Sequence, residues 1–536
     1  MTIDRRNFLR MAVTGGVIGA FTPFGGLLSP RRGRALTLGP GPKRLLTIYM
    51  PGGWQPSMMF TPFTDPAMTQ IHWPSYLASP QQITNLDGSG DAPNDDDSRL
   101  PRIRTAEVWD QAMMQNPGSF NSSGTFWPDV NIASHYGYSW RHYDLAGHTC
   151  VVHGVDQQTA EHYSGRRASL CGIAGARFSA PAMHCVAADA LYRSGSDRPL
   201  GAVTIKTGGA SGVTPPISQV DLPAHAAPTT IAGIGTLAST FSDSTSAWEG
   251  LRHRDEVDVP HLDGSPSGDR LPLTRMDQYA LGRFRQLEAL SDESFYQQLY
   301  DAHVGVSRKM ALDLVTILQA TPGFESAPPH WVSGNPYQLQ VGRVYGDDGG
   351  TWREQFDLVL KLFKADVCTA INVQAPAAYG EGFDIHASGQ GPMTDLFNRT
   401  RGTCEIIGRL LGEMKATDMG GGRSLLDETL VVLISDFARS WPQLDAGNGH
   451  WPFTSYVFIG GGIQGNRMIG DYALDPSMPR DPTGVELAVD GGSQGVLMKH
   501  PAARDVARTV YRIMGIPDDA SEISGGPNEI LGVRAV

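Results

Sequence analysis

The sequence has few charged residues for its length, and those that it has are mostly acidic. Charged side chains make up 18% of the 536 residues, and the formal net charge is −12. Because nucleic-acid binding depends on a basic surface, this balance excludes an ordinary nucleic-acid partner. The apolar run nearest the start, residues 11–28, is glycine-rich and contains Pro23, so a stable membrane-spanning helix is the weaker prediction there.

Cysteine is also scarce. Five cysteines lie far apart in the chain without a CxxC pair, at Cys150, Cys171, Cys185, Cys368 and Cys404. That spacing argues against a zinc–cysteine cluster. In an oxidising compartment Cys171 and Cys185 could pair, and the odd count leaves at least one free thiol. Packing in the core is the expected role for most of them.

Glycine and proline, in contrast, are abundant, with 63 and 37 residues. Both residues favour turns and loops, and two segments, residues 61–131 and 207–271, have a loop-like composition. We predict that these segments are insertions in a single domain that spans residues 36–536. A compact sheet with long connections is typical of an extracytoplasmic enzyme.

The first residues carry a specific pattern. Arg5 and Arg6 are followed by Phe8 and Leu9 and then by a modest apolar stretch. This resembles a twin-arginine export signal, which we expect to span residues 1–35. The resemblance implies folding in the cytoplasm, export by the twin-arginine translocase, and a periplasmic or secreted location in a bacterium.

Apolar segments of strand length recur along the chain, at residues 44–50, 149–153, 201–206, 368–374, 430–434 and 456–459. They lack polar alternation, which predicts strands that are buried on both faces of a sheet. Segments with helical spacing lie between them, at residues 182–193, 351–365, 394–414 and 502–514. This alternation predicts an α/β fold around a mainly parallel sheet.

Ionisable residues cluster after several of these strands. Ligands of open α/β sheets bind beyond the carboxyl ends of the strands, so such residues are candidates for a site. Aspartate and histidine together suit a divalent cation such as zinc, and arginine suits a tetrahedral oxyanion. The candidate residues for such a site are Asp384, His386, Asp436, Arg439, His450 and His162.

Each candidate also has an ordinary structural alternative. Asp436 could cap the turn or helix after its strand. His450, next to Trp451, could be a buried, hydrogen-bonded histidine, and His162 could lie on the surface of an amphipathic helix. Taken singly these alternatives are favoured, whereas together, at one edge of one sheet, the residues favour a site.

Several motifs resemble a known family. They are GGW at residues 52–54, GFDIHA at 382–387, VVLISDFARS at 431–440, GHWP at 449–452 and VFIGGGIQGNRMIG at 457–470. In this order they resemble a family of exported, uncharacterised bacterial proteins within the alkaline phosphatase/sulfatase superfamily. The resemblance implies an α/β/α sandwich, a divalent-metal site, and hydrolysis of phosphate or sulfate esters by a nucleophile at a strand end.

The chain departs from the family pattern where two carboxylates are expected. Gln55 and Gly449 replace acidic residues, and Asp436 replaces a glutamate. The loss of two potential ligands argues against a pair of metal ions. The resemblance then implies one ion, zinc, manganese or calcium, bound by Asp384, His386 and His450, with catalytic roles for Arg439, Asp436 and His162. The sequence does not identify the nucleophile, and Ser57 and Ser435 are candidates for it.

The same losses motivate an alternative function. A relative without catalytic activity could bind a glycan, an anionic ligand or an envelope protein in the same cleft. Trp54 and Trp451 could then stack against sugars. A structural scaffold is a third possibility, with the acidic insertions as assembly surfaces. The enzyme, acting on a small-molecule or glycan-linked ester, is the first hypothesis.

Overall fold

The structure is a computed structural model. It describes residues 36–54, 83–85, 102–104, 143–172, 181–196, 198–205, 229–231, 314–324, 349–374, 383–384, 407–439, 449–470, 472–475, 478–484, 486–489, 496–499, 501–518 and 528–535. The predicted export signal, nearly all of both predicted insertions, and Gln55, Ser57 and His386 lie outside the described residues.

The strands of the described ranges are numbered in chain order. They are β1 (Arg44–Met50), β2 (Ile83–Asn85), β3 (Arg102–Arg104), β4 (Thr149–Asp156), β5 (Leu200–Ile205), β6 (Thr229–Ile231), β7 (Cys368–Gln374), β8 (Thr429–Ser435), β9 (Ala438–Arg439), β10 (His450–Trp451), β11 (Phe453–Gly460), β12 (Arg467–Ile469), β13 (Tyr472–Asp475), β14 (Met478–Gly484), β15 (Glu486–Val489) and β16 (Val496–Lys499). Every strand segment predicted from the sequence is confirmed.

The helices are α1 (His162–Cys171), α2 (Met183–Arg193), α3 (Leu314–Ala320), α4 (Gly349–Lys364) and α5 (Ala503–Ile513), and residues 407–416 are also helical. Glu161 caps α1, because its carboxylate accepts hydrogen bonds from the backbone of Tyr163 and Ser164. Gly172 ends α1 in the left-handed conformation that favours glycine.

The central sheet has eight strands in the order β12-β4-β11-β8-β1-β7-β5-β6. All neighbours are parallel except for β11, which runs antiparallel to both β8 and β4. The prediction of an α/β fold with a mainly parallel sheet is therefore confirmed. The reversal of β11 brings its first residues to the edge where the parallel strands end.

The middle of the sheet is the most buried part of the fold. Every residue of β1 and β8 is buried, which agrees with their mostly apolar sequences, RLLTIYM and TLVVLIS. Helices α2 and α5 share one core cluster with side chains from one face of the sheet. No helix in the described ranges combines the length and hydrophobicity needed to span a bilayer.

The four cysteines that the structure describes are buried and free. The pairing of Cys171 with Cys185 is therefore wrong, and both thiols lie in the core cluster between α1, α2 and α5. Burial raises the pKa of the Cys171 thiol to about 12. Core packing, the role expected for most of the cysteines, accounts for the positions of these four.

Candidate functional site

The candidate residues meet at one edge of the sheet. Asp436 directly follows β8, and the turn Gly52–Gly53 follows the adjacent strand β1. His450 precedes β11, whose antiparallel direction places its start at the same edge as the end of β8. His162 begins α1, and Asp384 lies beyond the end of β7. Sequence alone predicted this edge correctly.

Asp436 is almost fully buried, and its carboxylate binds the turn that follows β1. Its Oδ1 atom accepts hydrogen bonds from the backbone N–H groups of Gly52 at 3.1 Å and Gly53 at 2.7 Å, and Ser435 Oγ lies 3.0 Å from the same atom. Gly52 and Gly53 have φ angles of 95° and 85°, which disfavour any residue with a Cβ atom. Asp436 therefore does cap a turn, but that turn follows the neighbouring strand β1 rather than its own strand β8.

Ser435 is fixed inside the same network. Its hydroxyl lies 2.7 Å from the Met50 carbonyl oxygen, to which it donates, and accepts a bond from the Trp54 backbone at 2.8 Å. With 1% of its surface exposed, this side chain is inaccessible to a substrate. The geometry therefore argues against Ser435 as the nucleophile.

His162 lies between two carboxylates. Its Nδ1 atom is hydrogen-bonded to Asp436 Oδ2, and its Nε2 atom lies 3.2 Å from Asp384 Oδ2 without the alignment of a hydrogen bond. Burial alone would lower the pKa of the imidazole, but the two carboxylates outweigh it and raise this pKa to about 9. Without a metal ion, His162 is therefore a cation that bridges the two aspartates.

Asp384 is the centre of the cluster. Besides His162, its carboxylate contacts the Arg439 guanidinium, and its Oδ1 atom lies 3.4 Å from His450 Nε2. Burial would raise the pKa of Asp384, whereas His162 and Arg439 together hold that pKa well below its usual range. Asp384 is thus a carboxylate at neutral pH.

Arg439 is fully buried and holds two parts of the site together. Its Nε and Nη2 atoms donate to the Gly52 carbonyl oxygen at 2.9 and 2.6 Å, and Nη2 also contacts Asp384. A Cβ atom on Gly53 would lie 2.8 Å from Arg439 Nε, so the turn packs closely against the guanidinium. Arg439 orients Asp384 rather than presenting a free charge to solvent.

His450 is anchored from the opposite side. Its Nδ1 atom lies 2.8 Å from the Ala160 carbonyl oxygen. Because a carbonyl oxygen can only accept, Nδ1 carries the proton, and the lone pair of a neutral ring lies on Nε2. Nε2 faces Asp384, and the His450 and His162 rings meet edge to face at 4.5 Å.

These three residues fit a divalent cation. One ligand atom from each of His162, Asp384 and His450 lies within 4.8 Å of the other two. Both histidines bind an acceptor through Nδ1, a carboxylate in one case and a backbone carbonyl in the other, which is the usual outer shell of metal-bound histidine. Two imidazoles and a carboxylate suit zinc or manganese better than calcium, which prefers oxygen ligands.

The structure brings together five of the six predicted site residues, and His386 is the exception because it lies outside the described residues. His162 was predicted to have a catalytic role, and its position also places it among the residues that could hold a metal ion. Sequence analysis missed the Gly52–Gly53 amides and the Ala160 carbonyl oxygen. The consecutive glycines after β1 were a usable signal for the first, whereas a backbone carbonyl leaves no trace in sequence.

One family comparison matches part of the chain. Residues 366–481 match a family described as "Protein of unknown function (DUF1501)". The matched segment contains Asp384, Asp436, Arg439 and His450 but not His162. Neither the curated proteins nor the solved structures contain a match to the chain.

Proposed function

We propose that the protein is an exported hydrolase of phosphate or sulfate esters that uses one divalent metal ion. The observation that supports this most directly is the paired anchoring of His162 and His450. Each ring binds an acceptor through Nδ1, and each directs Nε2 toward Asp384. Such prior orientation keeps the two nitrogens and the carboxylate in place for one cation.

When bound, the metal ion would act as a Lewis acid and polarise an ester oxygen. The protein's own residues hold the ligands in position. Asp436 fixes the ring of His162, and Arg439 fixes the carboxylate of Asp384. Asp436 and Arg439 both contact the Gly52–Gly53 turn at the end of β1. This turn therefore links the two residues that hold the proposed ligands in position.

The proposed fold family, substrate and location rest on the sequence resemblance. An alkaline-phosphatase-like α/β/α sandwich is consistent with the buried strands of the central sheet. The proposed substrate is a small-molecule or glycan-linked ester, and the proposed location is the periplasm or the exterior of a bacterium, reached through the twin-arginine translocase. Residues 1–35 would be the export signal.

The first test is elemental analysis of protein purified without chelators or a histidine tag. We expect about one zinc or manganese ion per chain, and His450→Ala should lose it. His148→Ala is the matched control, because His148 pairs with Asp427 through Nδ1 at 3.8 Å and contacts none of the three proposed ligands. Aryl phosphate and aryl sulfate hydrolysis should fall with the metal content. A metal-free wild-type protein that stays folded would refute the proposal.

A second function, binding without turnover, has one observation in its favour. Arg439 already neutralises Asp384, which leaves that carboxylate a weaker metal ligand. Trp54 is fully buried, so its predicted role as a sugar platform is wrong, whereas Trp451 is partly exposed. Turnover of an aryl ester at enzyme-like rates by the wild type, and not by His450→Ala, would exclude this alternative.

A further inference from the structure

Phe437 follows Asp436 directly in the chain, and its fully buried ring packs against both of the proposed metal-binding histidines. The centre of the Phe437 ring lies 4.6 Å from that of His162 and 4.3 Å from that of His450. The two imidazole rings are themselves 4.5 Å apart. The three rings therefore form a closed triangle in which Phe437 contacts both imidazoles.

Phe437 also contacts groups that support the site. The guanidinium carbon of Arg439 lies 5.7 Å from the centre of the Phe437 ring. A Cβ atom on Gly53 would lie 3.0 Å from Phe437 Cε2, so the turn after β1 packs against the edge of the ring. Phe437 is not a member of the core cluster that α2 and α5 share with the sheet. Its position thus indicates a role in the candidate site rather than in that cluster.

One hydrogen bond does not fix the orientation of an imidazole ring. The bond between His162 Nδ1 and Asp436 holds one atom of the first ring, and the bond from His450 Nδ1 to Ala160 holds one atom of the second. Each ring could still turn about that contact, which would move its Nε2 atom. A flat side chain packed against the ring restricts this rotation. Phe437 lies at 46° to the ring of His162 and at 35° to that of His450.

We propose that Phe437 is a positioning residue that directs the Nε2 atoms of both histidines toward one metal ion. This inference rests on the proposed function, and it assigns a role to a residue that offers no ligand atom. Ligands that are held in place before binding lose little freedom when the ion binds, which increases the affinity. Removal of a group that orients metal ligands typically costs about 10- to 100-fold in affinity. We expect an effect of this size from loss of the ring.

The test compares zinc affinities, measured by competition with a chromogenic chelator. Phe437→Leu removes the flat ring and should weaken zinc binding by about 10- to 100-fold. Phe458→Leu is the matched control, because Phe458 of β11 is equally buried but belongs to the core cluster. It should lower the free energy of unfolding, as Phe437→Leu does, and leave the zinc affinity nearly unchanged. Equal zinc affinities in the two variants would overturn the inference.

Two further variants separate positioning from packing. Phe437→Tyr keeps a flat ring and should retain most of the zinc affinity. Phe437→Met, whose side chain is apolar and flexible, should not, and it also covers the case in which Phe437→Leu does not fold. The visible absorption of the cobalt-substituted protein depends on ligand geometry, so it should change in Phe437→Met and not in Phe458→Leu. An unchanged spectrum and affinity in Phe437→Met, or an equal loss of affinity in Phe437→Tyr, would refute a role of the ring.

The wild type separates this inference from the proposed function. If the wild type binds zinc and Phe437→Leu binds it equally well, only the inference about Phe437 fails. If the wild type binds no metal ion, the proposed function and the inference fail together. Elemental analysis of the wild type before the competition measurements distinguishes the two outcomes.

Discussion

Gly165 of α1 lies in direct contact with the backbone of Asp436, the residue that follows β8. A Cβ atom at Gly165 would stand 2.1 Å from the Asp436 carbonyl oxygen. The helix that carries His162 is therefore positioned by the absence of a side chain at this glycine. Because the contact is to backbone, it cannot be relieved by rotation of a side chain.

We expect Gly165→Ala to push α1 away from the sheet and to move His162 away from Asp384. Overpacking of this kind costs about 1–3 kcal/mol of stability, and we expect the affinity for zinc to fall as well. Urea denaturation and competition with a chromogenic chelator measure the two effects. Gly147→Ala is the control, because a Cβ atom at Gly147 meets open space. Equal stability and affinity in the two variants would contradict the packing argument.

Asp436→Asn tests the outer shell of the site. The amide keeps one acceptor oxygen but loses the charge that orients His162 through Nδ1. Removal of such a support typically costs about 10- to 100-fold in metal affinity. A matched control is Asp427→Asn, since Asp427 is bonded to Ser424 and contacts none of the three ligands. Unchanged zinc affinity in Asp436→Asn would show that the carboxylate supports only the glycine turn.

Buried histidines away from the site predict the acid sensitivity of the fold. Burial lowers the pKa of His184 and of His153 to about 3, against an ordinary value of 6.5. Below pH 6.5 the unfolded chain therefore binds more protons than the native state, and stability falls as the pH decreases toward 3. Each histidine contributes a loss of about 1.4 kcal/mol per pH unit in this window.

His184→Gln should reduce the slope of stability against pH between about 6 and 4. Thr204→Val is the control, because it removes the hydroxyl that lies 3.1 Å from His184 Nε2 but leaves the imidazole in place. It should lower stability by about 1–3 kcal/mol at each pH without changing the slope. Urea unfolding of metal-free protein across this range provides the measurement, and equal slopes in all three proteins would refute the assignment.

The buried thiols lead to a prediction about redox state. Burial raises the pKa of Cys150 and of Cys171 to about 12, so neither is ionised at neutral pH. Native protein should react slowly with an aromatic disulfide reagent at the four described cysteines, and reductant should leave its melting temperature unchanged. Mass spectrometry after alkylation checks this, and a disulfide between Cys171 and Cys185 would contradict the structure.

Much of the fold follows from sequence patterns alone. The segment 430–434 is an unbroken apolar run and the segment 44–50 is mostly apolar, which is typical of strands in the middle of a covered sheet. The edge that carries the site was predictable for the same reason, because Asp436 directly follows such a run. Residue type, order and strand context together were sufficient to predict that Asp384, Asp436, Arg439 and His450 lie at one edge of the sheet.

The direction of β11 was not predictable, since an apolar run is equally compatible with parallel and antiparallel pairing. The separate roles of the residues in the candidate site were also not predictable from the sequence. Whether Arg439 faces a substrate or the Gly52 carbonyl oxygen depends on backbone geometry that no motif records. The role of His162 was not predictable either, because it depends on a hydrogen bond to Asp436, a residue 274 positions away.

The contact of the Gly52 amide with Asp436 joins residues that are 384 positions apart. Closing such a loop requires most of the chain to be synthesised and β1 to be paired with β8. The site therefore forms late in folding, and a partly made chain has no assembled cluster to capture metal. Retained metal would thus mark molecules whose central sheet is complete, and if the protein is exported with its ion in place, as proposed, the sheet must form before export.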